Sequence, residues 1–248
     1  SMYITYLQKG MIEKVENGDF EIEGYNDDGS IISTNEFRSF IPGSQWRIPS
    51  HDASRHGSTL LQQIYKEIRF TFPKSLYATH DTIRFFVANK PNALIVDFFA
   101  GSGTTMHAVN LLNAEDGGHR RCIMVTNNEV SADEAKMLKD KGYQPGDAEW
   151  EKLGIAHYVT WPRTVCSIEG HDVNGSPLKG GYLGSEPPMH MSDGFKANAA
   201  FFKLGFLDPT AVSLGMCFSE MLPTLWLKTG AKGKCPELSG EQVPDMLI

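Results

Sequence analysis

The chain has 248 residues, of which 41% are hydrophobic and 21% charged, and its formal net charge is -7. This composition allows a sizeable core and excludes general disorder. No apolar run approaches the roughly 20 residues of a membrane helix. No basic segment followed by an apolar one opens the chain, so we expect a cytoplasmic protein without a secretory signal and without a membrane partner. The acidic balance argues against a chain that grips nucleic acid by itself, because phosphate contacts need basic side chains.

The cysteines do not suggest a metal site or a disulfide framework. Cys122, Cys166, Cys217 and Cys235 are scattered, and no pair has zinc-ligand spacing. The histidines share no ligand spacing either. The sequence therefore predicts no metal ligands and a reducing environment.

The first zone, residues 1–50, is predicted to be β-rich. Residues 11–46 alternate apolar and polar side chains around a turn at residues 26–29, which favours short antiparallel strands. We interpret residues 1–50 as the remnant of an upstream or target-recognition region.

The second zone, residues 51–169, begins with two predicted helices. A first helix is indicated by apolar residues at helical spacing, namely Leu60, Leu61, Ile64 and Ile68. Residues 72–75 break it. Thr79 is the expected N-cap of a second helix, with Asp81 in its first turn. The apolar face of this second helix is predicted to comprise Ile83, Phe86 and Val87.

The rest of this zone alternates strands and helices. The apolar runs at residues 94–96 and 122–125 are typical of buried parallel strands, and residues 104–112 between them predict a helix. This order implies a parallel sheet with right-handed crossovers. Further helices are predicted at residues 135–138 and 150–153, and a strand at residues 156–159. Thr160 and Pro162 are expected to start another helix.

The third zone, residues 170–248, is predicted to be an α+β extension. Residues 170–194 contain six Gly and three Pro, which indicates loops and hairpins. Residues 199–207 predict a strand. Asp208 and Pro209 form an N-cap and first-turn pair for a helix that Pro223 is expected to disturb. The predicted fold class is therefore α/β: a partial Rossmann-like sheet with flanking helices, a β-rich N-terminal segment and an α+β C-terminal extension.

The strongest local signal is residues 97–105, Asp-Phe-Phe-Ala-Gly-Ser-Gly-Thr-Thr, which join a strand to a helix. Gly101 and Gly103 permit positive φ and close approach of a ligand, and the helix N-terminus favours a carboxylate. A dinucleotide fingerprint would need a third Gly where Met106 stands, and no Gly-Lys-Ser/Thr phosphate loop occurs. A nucleophile elbow around Ser102 would need Gly on both sides at positions 100 and 104. The remaining alternative is a purely structural turn.

Residues 99–103 resemble motif I, the F-x-G-x-G loop of S-adenosylmethionine-dependent DNA methyltransferases. The string from residue 97 to 105, with His107, Ala108, Val109 and Asn113, resembles the adenine-specific Mod subunits of type III restriction-modification systems. Residues 72–75 resemble motif X of that group. Residues 118–129 resemble its second strand with an acidic end, and residues 201–204 a strand near the C-terminal side.

The resemblance implies a function and a set of partners. It implies a methyltransferase that uses S-adenosyl-L-methionine to methylate the exocyclic amino group of adenine in DNA. DNA is then the partner of the full-length protein, and a restriction subunit is a further expected partner. The positions that match the family's cofactor site are Asp97, Phe99, Ala100, Gly101, Ser102, Gly103, Thr104, Asn128, Glu129, Lys74 and Ser75.

The resemblance also implies individual roles. Asp97 would hold the cofactor's amino group and Phe99 would pack beneath the cofactor. Glu129 would accept both ribose hydroxyls, since a carboxylate accepts two hydrogen bonds at once. Asn128 would contact adenine, while Lys74 and Ser75 would meet the methionine carboxylate. The structural alternatives are a strand-end cap for Asp97, a core position for Phe99, a helix-start acid for Glu129 and an exposed lysine at position 74.

The D-P-P-Y type motif, which binds the target amine in this family, is absent from the sequence. Its nearest string, residues 186–189, has Glu and Met at the two critical positions and lies in a Gly/Pro-rich loop. In the class of DNA methyltransferases that the chain resembles, this motif precedes the cofactor motif in the sequence. We therefore expect no catalytic residues here, an inactive chain, and a catalytic strand upstream.

A sheet that lacks its catalytic strand would leave an unpaired edge. We expect that edge to be covered by the N-terminal zone, by self-association or by local disorder. The alternatives to the leading hypothesis are an RNA or small-molecule methyltransferase, a non-catalytic S-adenosylmethionine-binding module and a nucleotide-binding domain.

Overall fold

The computed structural model describes residues 22–25, 31–33, 45–185 and 187–238. Its first elements are two antiparallel strands, β1 (Ile22–Tyr25) and β2 (Ile31–Ser33). They confirm the antiparallel pairing predicted for the N-terminal zone. The predicted turn at residues 26–29 lies outside the described residues, as does Glu186 of the Gly/Pro-rich loop.

The remaining elements alternate as an α/β chain does. Two strands follow, β3 (Leu94–Asp97) and β4 (Arg121–Met124). The α-helices of the described residues are α1 (Thr59–Tyr65), α2 (Leu76–Val87), α3 (Thr104–Asp116), α4 (Ala132–Asp140), α5 (Ala148–Glu151), α6 (Trp161–Glu169), α7 (Pro209–Ser213) and α8 (Phe218–Lys228). Single helical turns of other types span Pro49–His51, Ser54–Ser58, Ala156–Thr160 and Met191–Asp193.

The parallel sheet consists of β3 and β4 within the described residues, with α3 as the crossover between them. Leu94 pairs with Arg121 and Asp97 with Met124, so both strands end at one edge. The predicted strand–helix–strand unit is therefore confirmed. The expectation that both strands are buried is wrong for one face, where Val96 is 45% and Ile123 50% exposed. The reason is that the helices of the described chain cover the opposite face only, where α3 contacts β4.

The core consists of side chains from the helices rather than from the sheet. One cluster comprises Leu60, Leu76, Tyr77, Ala108, Leu111, Tyr182 and Phe195. A second comprises Leu61, Ile64, Tyr65, Val159, Cys166 and Leu178. Helix α1 supplies residues to both clusters, α3 supplies residues to the first cluster, and α6 supplies one to the second. These packed helices hold the end of β3 in place.

Helix α1 ends earlier than its apolar spacing predicts. Lys66 adopts a left-handed conformation, with φ 63°, and its amide closes the helix on the Gln62 carbonyl. The Lys66 ammonium pairs with Asp172 at 2.8 Å, which ties this end to the following loops. Ile68 consequently lies outside the helix and is 71% exposed, so its predicted place on the apolar face is wrong.

The N-cap of α2 is Ser75 and not Thr79. The Ser75 hydroxyl accepts a hydrogen bond from the Ala78 amide, and Thr79 lies inside the first turn, where its hydroxyl donates to the Ser75 carbonyl. Ser75 takes this position because it is the first residue with an extended backbone and a capping side chain after Pro73. The buried face is accordingly Leu76, Tyr77 and His80, while Phe86 is 65% exposed.

Residues 156–159 form no strand. The π-helical turn Ala156–Thr160 runs directly into α6. The side-chain oxygen of Asn128 accepts hydrogen bonds from the Ala156 and His157 amides, which satisfies the first donors of this helical segment. A tertiary contact thus overrides the β propensity of the local sequence. The helix start predicted at Thr160 and Pro162 agrees with α6.

The C-terminal zone agrees with the sequence in part. Isolated antiparallel bridges at His171–Pro177 and Gly181–His190 confirm the predicted hairpins and loops. The prediction of a strand at residues 199–207 is wrong. This segment has no regular structure, and the Phe206 side chain is fully exposed. Its alternating apolar residues lack a neighbouring strand in the described chain.

Asp208 caps α7 as predicted, accepting from the Ala211 amide at 2.8 Å. Gly215, with φ 73°, then interrupts the predicted single helix. Pro223 lies inside α8 without ending it. None of the helices in the described ranges is both long and apolar enough to cross a membrane.

A partly buried ionic cluster joins α2 to α3. His80 Nδ1 lies 3.0 Å from Asp81 and Nε2 lies 2.9 Å from Glu115, while His51 approaches the second Asp81 oxygen at 2.8 Å. Burial opposes protonation of His80, but the hydrogen bonds to Asp81 and Glu115 outweigh it and raise the His80 pKa to about 9. The imidazolium therefore bridges two carboxylates at neutral pH.

We expect His80 to make stability fall in mildly alkaline solution. Because its folded pKa exceeds the ordinary value of 6.5, its contribution is fully present below about pH 6.5 and is lost as pH rises through about 9. The melting temperature of His80→Gln, followed from pH 6 to 10, should lack this decline. His119→Gln, at an exposed histidine, should keep the wild-type profile; identical profiles for wild type and His80→Gln would contradict the assignment.

Candidate functional site

Asp97 organises the turn between β3 and α3. One carboxylate oxygen accepts the Phe99 amide at 3.0 Å and the other accepts the Thr105 hydroxyl at 2.6 Å. The carboxylate thus bridges the strand end and the first turn of the helix. This is the capping role foreseen as the alternative for Asp97; the predicted contact with a cofactor stays a prediction.

The two glycines of the turn both adopt left-handed backbone conformations. Gly101 has φ 51° and Gly103, the N-cap of α3, has φ 75°. A Cβ atom on Gly103 would also lie 3.3 Å from the Thr160 methyl group. The turn therefore needs glycine at position 103 for its conformation and for the close approach of the helical segment beneath it.

Two residues of that helical segment hold the turn from below. The Thr160 hydroxyl donates to the Gly101 carbonyl at 2.6 Å. Arg163 Nη1 donates to the Thr104 hydroxyl at 2.7 Å and lies 3.2 Å from the Ser102 hydroxyl. The hydroxyls of Ser102 and Thr104 are therefore turned inward, and both residues are buried.

Arg163 was missed by the sequence analysis, which interpreted residues 160–162 only as a helix start. A signal was present: Thr160, Arg163, Thr164 and Ser167 occupy positions i, i+3, i+4 and i+7, and all four are buried. A polar stripe at helical spacing marks a helix face that packs on polar backbone. Here Thr160 and Arg163 contact the glycine turn, while the Thr164 and Ser167 hydroxyls donate to carbonyls of their own helical segment.

The electrostatics beneath the turn follow from burial. Burial lowers the Arg163 pKa to about 10, so the guanidinium remains charged at neutral pH. Burial, and then the nearby Arg163 charge, hold the His107 pKa well below its usual range. Neutral His107 lies 2.9 Å from the Tyr182 hydroxyl inside the protein. His107 is thus a buried residue of α3 that packs against Tyr182.

The end of β4 lies beside the turn. The Val125 amide donates to the Asp97 carbonyl at 2.7 Å, and the Ala100 amide donates to the Val125 carbonyl at 3.2 Å. The segment from Val125 to Glu129 therefore leaves the sheet at the same edge as the glycine turn. Glu129 is exposed there, and its backbone carbonyl accepts the Ile155 amide at 2.8 Å.

The Asn128 side chain is committed to protein contacts. Its amide nitrogen donates to the Glu151 carbonyl and carboxylate, each at 2.8 Å, and its oxygen accepts the Ala156 and His157 amides. A Cβ atom on Gly154 would overlap this amide. The two donors and two acceptor sites of Asn128 are thus filled. Its predicted contact with adenine would require some of these bonds to exchange.

The aromatic residues of the turn face solvent. Phe99 is 91% and Phe98 67% exposed, whereas Ala100 is buried. A core position for Phe99, considered as an alternative from the sequence, is excluded. An exposed phenyl ring beside a glycine turn is available to a flat apolar ligand.

Lys74 and Ser75 lie on the segment that leads into α2. The Lys74 side chain is exposed. Ser75 is buried, and its hydroxyl donates to the Ser50 carbonyl at 2.9 Å in addition to capping the helix. Gly57 lets this segment approach, because a Cβ atom there would lie 2.9 Å from the Pro73 carbonyl oxygen.

Other concave or metal-binding features do not coincide with the turn. A cleft of about 1050 Å³ lies between residues 198–202 and α8, and no residue from 97 to 105 lines it. In the described part of the chain, no group of His, Cys, Asp or Glu side chains could hold a metal ion. The turn between β3 and α3 is therefore the candidate site.

A strand–glycine turn–helix unit of this kind is typical of ligand sites in α/β proteins, and comparison with known sequences makes the class more specific. No protein-family model matches the chain. Over 68 residues, 27% of this chain, it is 44% identical to the type II methyltransferase M.KpnI of Klebsiella pneumoniae. Over 89 residues, 36% of the chain, it is 36% identical to the Mod subunit of the type III restriction-modification enzyme EcoPI of Escherichia phage P1.

A third relative is the Mod subunit of the type III restriction-modification enzyme StyLTI of Salmonella typhimurium, 33% identical over 95 residues, 38% of the chain. The resemblance to methyltransferases of restriction-modification systems is thereby confirmed. The matches span only 16%, 13% and 14% of the lengths of the three relatives.

Proposed function

We propose that this chain is the S-adenosylmethionine-binding part of a DNA methyltransferase that methylates the exocyclic amino group of adenine. The observation that carries the proposal is the glycine turn after β3, with Asp97 and exposed Phe99 at the sheet edge. The similarity to three restriction-modification methyltransferases supports the reaction class. In the full-length protein the partners are DNA and a restriction subunit.

The residues at the turn fit such a cofactor chemically. Gly101 and Gly103 allow the left-handed turn whose backbone would meet the methionine part, and Phe99 offers a flat apolar surface. The Asp97 carboxylate lies at the last residue of β3 and the Glu129 carboxylate on the segment after β4, where they would receive the cofactor's ammonium group and ribose hydroxyls. Lys74 and the backbone at Ser75 would meet the methionine carboxylate. The bound cofactor supplies an activated methyl group.

The chain is proposed to be inactive by itself. The sequence contains no D-P-P-Y motif to accept the target amine and stack on the base. The exposed face of β3 and β4 is the surface on which a further part of the enzyme would pack. Self-association is proposed as the second way of covering the unpaired sheet edge.

Calorimetry tests the cofactor proposal. We expect heat of binding with S-adenosylmethionine and its demethylated product, and none with NAD or ATP. Asp97→Asn keeps the side-chain shape but removes the charge, and should weaken S-adenosylmethionine binding at least tenfold, about 1.4 kcal/mol. Asp133→Asn, at an exposed acid in the first turn of α4, is the control. Binding of NAD in preference to S-adenosylmethionine would refute the proposal.

Methyl transfer tests the second part of the proposal. Incubated with methyl-labelled S-adenosylmethionine and adenine-containing DNA, the chain alone should leave no label on DNA, because nothing in its sequence provides the amine-binding motif. A fully active methyltransferase of the same type serves as the positive control. Recovery of N6-methyladenine would show that the chain contains its own catalytic residues.

A further inference from the structure

Arg163 is a buried cation without a matching anion among the described residues. Its side chain is completely buried, and its Nη2 atom has no hydrogen-bond partner there. No carboxylate of the described chain lies within ion-pair distance of it. Burying a lone guanidinium is costly, so its retention calls for a function that a neutral side chain would not serve.

The position of that charge is defined by its contacts. Nη1 bonds to the Thr104 hydroxyl at 2.7 Å and lies 3.3 Å from the Ser102 carbonyl, while Nε faces His107 at 3.5 Å. Ser102 and Thr104 flank Gly103, the N-cap of α3. The charge therefore lies directly behind the glycine turn, where the positive end of the α3 dipole is also located.

Nearby groups do not cancel the charge. Burial and Arg163 keep His107 neutral, and burial raises the pKa values of Tyr65 and Tyr182, so both phenols stay neutral as well. In such a low-dielectric environment the field of the guanidinium extends across the thin glycine turn to its outer side. A ligand that places negative charge on the outer side would be favoured.

We propose that Arg163 is a positioning residue that makes the glycine turn selective for a ligand with a carboxylate. It does so by fixing Ser102 and Thr104 from beneath and by supplying an uncompensated positive charge behind them. The proposal rests on the proposed function, since the methionine part of S-adenosylmethionine carries such a carboxylate. Arg163 does not touch the ligand; it acts through the turn.

The test compares S-adenosylmethionine with decarboxylated S-adenosylmethionine, which differs by the carboxylate alone. In calorimetry, the wild type should prefer S-adenosylmethionine by at least tenfold. Arg163→Met keeps the volume but removes the charge, and should reduce the preference to below threefold. Arg163→Lys keeps the charge and should preserve most of the preference while weakening both ligands. Arg121→Met, at an exposed arginine on β4, should behave as wild type.

Three outcomes would overturn the proposal. If Arg163→Met weakens both ligands equally and keeps the wild-type preference, Arg163 is only structural. If the wild type binds both ligands equally well, the turn is not selective for a carboxylate, whether or not Arg163→Met folds. If the wild type binds neither ligand, the proposed function fails as well, which separates that case from the other two.

Discussion

Gly103→Ala should lower stability and abolish most cofactor affinity together. A side chain at φ 75° costs about 1–2 kcal/mol, and its Cβ would press against the Thr160 methyl group at 3.3 Å. Relief of this contact moves either the turn or the start of α6. We expect a loss of about 1–3 kcal/mol in denaturant unfolding and an affinity for S-adenosylmethionine at least tenfold weaker in calorimetry.

Gly117→Ala provides a matched control at the other end of the same helix. Gly117 caps the C-terminus of α3 with φ 69°, and a Cβ atom there would meet nothing within 4 Å. This variant carries the same kind of backbone strain in open space. It should lose stability but retain cofactor affinity; equal affinity of the two variants would show that the close approach at Gly103 is unimportant for the site.

Arg120→Ala should cause the largest loss of stability among single changes near the sheet. The guanidinium donates to the Val87 and Ala88 carbonyls at the end of α2 and to Asp116 at the end of α3. The Arg120 side chain is fully buried. Its removal leaves the Ala88 carbonyl and the Asp116 carboxylate without this donor, and the Val87 carbonyl keeps only the Lys90 amide. The loss costs about 3 kcal/mol and lowers the melting temperature by roughly 6–12 °C.

The neighbouring Arg121 is the control for this prediction. It occupies β4 but is exposed, so Arg121→Ala should change the free energy of unfolding by about 0.5 kcal/mol or less. Arg120→Lys should recover only part of the loss, because one ammonium cannot reach both helix ends. A wild-type melting temperature for Arg120→Ala would mean that the carbonyl groups find other donors.

Where local sequence and tertiary structure agree, the fold could be predicted. The strand at β3, the glycine turn and α3 follow from an apolar run that ends in Asp97 and Gly101, and nothing distant competes with them. Strand β4 could be predicted for the same reason, from the apolar run at residues 122–125. The Asp208 cap was correct because capping depends on a side chain and an amide only three residues away.

Where distant partners decide, the sequence was insufficient. Ser75 and Thr79 are both acceptable caps, and the local sequence does not show that the extended backbone before the helix reaches only to Ser75. Residues 156–159 have strand propensity, yet Asn128 supplies the hydrogen bonds that start a helix there. Of the site, the turn and its glycines could be predicted. The polar spacing around Arg163 indicates a helix face, but it does not show which backbone that face packs against, so the contact of Arg163 with the turn could not be predicted.

The position of α6 beneath the glycine turn has a consequence for the order in which contacts form during folding. Besides its local hydrogen bonds to Asp97, the glycine turn receives hydrogen bonds from Thr160 and Arg163, about sixty positions later in the chain. Contacts of such sequence separation form late, after the loop between them has closed. A nascent chain that has emerged only as far as β4 therefore has the complete signature but lacks the hydrogen bonds that α6 and the turn before it supply. A sequence motif of this kind marks the location of a site, whereas the site itself is assembled by a helix that the motif does not include.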